Sequence, residues 1–105
     1  MSNLAAELSG IISNVLRQYR SNLSEVIVTL DPNGTLDFTY DAYPERYGDQ
    51  SDILDDLKER LMAGAYQGVN GVYRFTSVNL ITQTQKRFGR KNWYIITVRL
   101  MYNLT

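Results

Sequence analysis

A chain of 105 residues with 44% hydrophobic and 21% charged residues is long enough for one domain with a real core and too apolar for disorder. It has neither cysteine nor histidine, which excludes disulfides, thiol chemistry and Cys/His zinc sites and removes the commonest general acid–base group. The formal net charge is zero, but residues 25–59 hold ten acids against Arg46 and Lys58, a net of −8, while residues 60–105 hold seven bases and no acid, a net of +7.

Residues 3–20 form the first predicted element. Leu4, Leu8, Ile11, Ile12, Val15, Leu16 and Tyr19 recur with the 3.6-residue period of one helical face. Ser2 or Asn3 suits the N-cap, Glu7 the first turn, and Arg17 and Arg20 the last turn, where the helix dipole favours positive charge. After a short connection, Glu25–Leu30 and Thr35–Tyr40 read as strands, with Val26, Val28, Leu30, Leu36, Phe38 and Tyr40 on the inner face. Asp31-Pro32-Asn33-Gly34 joins them: proline presets the turn and glycine supplies the positive φ that closes it.

Asp41–Gln50 is a polar loop that carries two tyrosines, Tyr43 and Tyr47. Aromatic rings on loops are candidates for partner contact. Ser51 then caps a second helix, with Asp52, Asp55 and Asp56 near its N-terminus and Ile53, Leu54, Leu57, Leu61 and Met62 on its apolar face; the helix should stop near Gly64. Ala65–Gly71 is a glycine-rich connector without the spacing of a phosphate loop or a dinucleotide fingerprint, and reads as a flexible passage.

The last third, Val72–Leu104, reads as one long hairpin. Its runs Val72–Gln85 and Trp93–Leu104 flank a basic turn, Lys86–Asn92. The second run alternates cleanly: Tyr94, Ile96, Val98, Leu100, Tyr102 and Leu104 on one face, and Trp93, Ile95, Thr97, Arg99, Met101 and Asn103 on the other. The first run does not, because Ser77, Asn79, Gln83 and Gln85 share their phase with Tyr73, Phe75 and Ile81. Its far half, 79–86, is therefore expected to project beyond the core or to pair with another chain.

The order helix, strand, strand, helix, strand, strand predicts a single α+β domain over residues 1–105, with two helices on one face of a mainly antiparallel sheet. No stretch of about 18 apolar residues occurs, so no membrane span is expected, and the absence of a basic, then apolar N-terminal segment points to the cytoplasm. Asp37 and Asp41 are the one candidate carboxylate pair, and no pattern of nucleophile, metal ligands or cofactor loop accompanies them; the expectation is a protein without catalysis, metal or cofactor. Partner contact is expected instead at Lys86, Arg87, Phe88, Arg90, Lys91 and Trp93, joined by Tyr43 and Tyr47. This pattern predicts an interaction or assembly module, a homo-oligomer or a protein that docks on another, in the manner of small phage or bacterial accessory proteins. The alternative is a nucleic-acid-binding module that uses the basic tip 86–91 for phosphate contact and base stacking.

Overall fold

The structure, a computed structural model, describes residues 4–19, 21–28, 34–43, 50–68 and 70–105. Among these residues seven elements follow one another: α1 (Leu4–Gln18), β1 (Asn22–Val28), β2 (Thr35–Ala42), α2 (Gln50–Met62), β3 (Tyr66–Gly68), β4 (Gly71–Phe88) and β5 (Lys91–Leu104). The strands make one sheet in the order β1-β2-β5-β4-β3, every neighbouring pair antiparallel. Helix α1 packs on β1, α2 on β4, and the helices touch each other. This is the expected α+β arrangement with one strand more.

Strand β5 sits at the centre. Its alternation is the one expected: Ile96, Val98 and Leu100 are fully buried, opposite Tyr40, Phe38 and Leu36 of β2. Leu8, Ile12, Val15 and Leu16 of α1 and Ile53, Leu57 and Leu61 of α2 close the core from the helical side. Each such side chain contributes roughly 1.5–3 kcal/mol by leaving water. Leu104, expected on the buried face, is exposed because the strand ends there. On the outer face, Arg99 donates two bonds to the Asp37 carboxylate, at 2.9 and 3.0 Å, and the hydroxyls of Thr39 and Thr97 lie 3.2 Å apart.

The broken alternation of β4 has a local cause. Phe75 faces Tyr102 and Ser77 faces Met101, so Thr76 is an extra residue; Leu80 faces Val98 and Thr82 faces Thr97, so Ile81 is another. Each bulge moves the following residues to the opposite face. The inner face of β4 therefore runs Tyr73, Phe75, Val78, Leu80, Gln83, Gln85, each opposite an inward residue of β5. Ser77 and Asn79, which share a phase with Tyr73 in the sequence, stand outside.

The glycine-rich connector is not a flexible passage. It contains β3, which pairs Tyr66 with Tyr73 and Gly68 with Gly71. Tyr66 is buried, and its hydroxyl donates to the carbonyls of Arg60 and Leu61 at 3.3 and 3.2 Å, which satisfies acceptors that the end of α2 leaves open. A Cβ on Gly68 would stand 2.2 Å from the Tyr73 ring, so glycine is required where that ring covers the strand. The turn at 31–33 lies outside the described residues. Gly34 has the expected positive φ, 70°, and its carbonyl accepts a bond from the Tyr102 N–H at 3.1 Å.

Asp56 does more than complement a helix dipole, because the Tyr19 hydroxyl of α1 donates to its carboxylate. That bond, followed by burial, raises the Tyr19 pKa to about 12. A raised folded-state pKa means that the stabilisation is complete below the ordinary tyrosine range near pH 10 and is lost as pH rises toward 12. Tyr19→Phe should cost about 0.5–1 kcal/mol at neutral pH. It should also remove one late-titrating ring from the alkaline absorbance curve; a variant curve identical to wild type would show that Tyr19 is not the ring held by Asp56.

The central strand supplies a sharper test. Leu100→Ala should destabilise by about 2–5 kcal/mol. Met101→Ala, at a position 41% exposed on the other face, should cost under about 1 kcal/mol. Equal costs in denaturant melts would mean that both faces of β5 are covered.

Candidate interaction surface

Strand β2 ends at Ala42, opposite Tyr94. Beyond this level, among the described residues, β4 and β5 continue alone as a two-stranded ribbon through the pairs Lys86–Trp93, Arg87–Asn92 and Phe88–Lys91. All residues from Ile81 to Asn92 are exposed, and the molecule measures 47 × 23 × 22 Å. Two-stranded ribbons are marginal in isolation; this one is held by its continuity with the five-stranded sheet.

The turn is shorter than expected. Only Gly89 and Arg90 are unpaired, with Gly89 at φ 61°, and the remaining residues of 86–92 belong to the ladder. A ribbon wet on both faces needs no apolar alternation, so nothing in the composition of this segment distinguishes strand from turn.

Pairing sorts the side chains. Lys86, Phe88, Lys91 and Trp93 share one face of the ribbon, each cation opposite an aromatic ring, while Arg87 stands on the other face with Gln85. Arg90 occupies the turn. Phe88 is 79% exposed, and Trp93 is half-buried where the ribbon joins the sheet. Tyr43, exposed, directly follows Ala42 and so stands at the same end of the sheet. Tyr47 lies outside the described residues. Among the described residues none of Lys86, Arg87, Arg90 and Lys91 forms an ion pair.

A second feature adjoins the first. Val72 and Thr105 exchange both backbone bonds, at 2.9 and 3.0 Å. In an antiparallel ladder bonded and non-bonded pairs alternate. Following the register outward, the N–H and C=O of Phe75, Val78, Leu80, Gln83, Gln85 and Arg87 point away from β5. Strand β3 covers that edge only as far as Tyr73. Among the described residues no strand pairs with β4 beyond it. The sequence shows this edge only indirectly, through the lost alternation of residues 72–85.

The remaining candidates do not converge on chemistry. Asp37 is engaged by Arg99, and Asp41 lies four residues along the same strand, roughly 13 Å away. Among the described residues no three His, Cys, Asp or Glu side chains cluster for a metal, and no helix is long and apolar enough to cross a membrane. An open groove between α1 and α2 is lined by Ile11, Val15, Gln18, Asp56, Glu59, Arg60 and Ala63, with the Tyr19–Asp56 bond nearby. Tyr40 sits in the core with its pKa raised by burial, so its hydroxyl is held neutral rather than poised for proton transfer.

Compared with protein-family models, with curated proteins and with solved structures, the chain finds no significant match.

Proposed function

We propose that this protein is a non-enzymatic interaction module that assembles with protein through its C-terminal hairpin. The observation that carries the reading is the arm itself: twelve consecutive exposed residues, 81–92, on a paired and therefore ordered ribbon, with Phe88 open to solvent at its end. A large exposed ring costs solubility, and its cover by a partner would recover that cost. The arm is basic, and the exposed acids Asp52, Asp55 and Glu59 lie on α2, so a like copy or an acidic protein has the complementary charge.

One observation favours a second reading. Lys86 and Lys91 share a face with Phe88 and Trp93, which combines phosphate contact with stacking platforms and suits a single strand of nucleic acid. The acidic α2 of the same molecule opposes it, because those carboxylates repel a phosphate backbone that follows the arm toward the core.

Changing Lys86, Arg87, Arg90 and Lys91 together to glutamine separates the two. The residues are exposed, so stability should change by less than about 0.5 kcal/mol per site. Under the assembly reading the wild type elutes above its monomer mass of 12.1 kDa, the variant elutes closer to it, and neither retards a single-stranded oligonucleotide. Wild-type binding to the oligonucleotide that weakens steeply with salt and vanishes in the variant, with a monomeric mass throughout, would overturn the assembly reading in favour of nucleic acid.

A further inference from the structure

We infer that the open edge of β4 takes a second copy of this chain: residues Thr82–Phe88 of two protomers pair antiparallel about a two-fold axis at Gln85, and two sheets become one. The inference rests on the assembly reading and specifies its surface.

The first argument is where the edge is regular. Between Phe75 and Thr82 two bulges interrupt β4, and a bulged edge twists away from partners. From Thr82 to Phe88 the ladder is uninterrupted, and seven residues make an ordinary strand length. The opposite edge of the sheet, β1, is itself bulged between Leu23 and Glu25. The one long, unbulged and uncovered edge among the described residues is therefore on the arm.

The second argument is register. The outward-pointing backbone groups are those of Gln83, Gln85 and Arg87, so these must form the bonded pairs across the new interface. Centring on Gln85 does this, pairing Gln85 with itself and Gln83 with Arg87. The intervening pairs are Thr84 with Lys86 and Thr82 with Phe88. No cation stands directly opposite another, whereas a parallel, in-register arrangement would stack Lys86 on Lys86 and Arg87 on Arg87. A two-fold contact is also closed, so it makes a dimer and not a fibre.

The third argument is charge. Strand β2 ends at the level of the arm and β3 begins at the level of Tyr73, so α2, which connects them, runs back along the sheet from the arm end to the base. Its C-terminus is fixed at the base by the Tyr66 hydroxyl. Thirteen residues of helix span about 20 Å, the length of about six strand residues, so α2 starts near the level of Asn79 and Leu80, with Asp52 and Asp55 exposed. In the two-fold register Gly89 of the second copy comes beside Ile81. Its Arg87, on the face that carries the helices, is thereby set opposite Gln83, and its Arg90, in the turn, is carried toward the acidic start of α2. That complementarity selects a like copy over a neutral strand.

Seven paired residues bury less than a standard interface, so the dimer should be reversible and dependent on concentration and salt. The test uses the full chain. In Gln85→Pro the lost N–H is one that β5 does not use, so the intramolecular ladder survives while the new edge is blocked. Gln85→Cys places a single thiol in a cysteine-free chain. Across the axis the two Cα atoms would stand about 5.5 Å apart, within the range of a disulfide. Expected are a wild type whose mass rises to that of a dimer with concentration, a folded Gln85→Pro that stays monomeric over the same range, and a Gln85→Cys that oxidises to a covalent dimer while Thr84→Cys does not. A wild type that assembles while Gln85→Pro keeps its mass and Gln85→Cys stays uncross-linked would overturn the edge but leave the assembly reading standing. A wild type and Gln85→Cys that both stay monomeric would overturn the two-fold dimer, leaving a different protein or a nucleic acid as the partner. If Gln85→Pro unfolds, the cysteine pair decides alone.

Discussion

An antiparallel strand bonded along both edges must send its side chains alternately to the two faces of the sheet, and β5 meets this condition with β2 on one side and β4 on the other. Ile96, Val98 and Leu100 are thereby committed to the core, and with them Leu36, Phe38 and Tyr40 across the β2 ladder. The helices cover this one apolar face. The other face carries polar pairs such as Asp37 with Arg99 and Thr39 with Thr97 beside the exposed Ile27 and Met101.

Strand β4 solves a harder problem than β5. It must contribute Tyr73, Phe75, Val78 and Leu80 to the core and then leave the core altogether. Two bulges allow this: each resets the face, the first bringing Val78 and Leu80 inward, and the second placing Gln83 and Gln85 opposite Ile96 and Tyr94. The same bulges disable the edge where β4 passes the helices and leave it regular only on the arm. A feature that reads as imperfect patterning thus sets where the edge of β4 is regular.

Among the described residues the split of charge along the chain is only partly neutralised by folding. Asp37 on β2 meets Arg99 on β5 because those strands are neighbours. The bases of 86–91 lie past the end of β2, where no acidic strand among the described residues accompanies them, and the described acids of α2 lie on the helical side of the sheet. The result is a basic arm and an acidic helix on one molecule.

Much of this was determined by the sequence alone. Helical periodicity in residues 4–18 and 50–62, the alternation of β5, and the inner face of β2 follow from local backbone geometry, which imposes periods of 3.6 and 2 whatever the surroundings. So did the exposure of the basic segment, since four cations within six residues have no place in a core. The tertiary structure decided what depends on pairing partners distant in the chain: that 65–71 contains a strand beneath a tyrosine ring, that the turn of the long hairpin is two residues rather than seven, that Thr76 and Ile81 are bulges, and that β4 keeps an edge open among the described residues. A bulge is the difference between two registers, and an edge is the absence of a neighbour. Neither is a property of any one segment, so neither leaves a periodic signal for that segment to show.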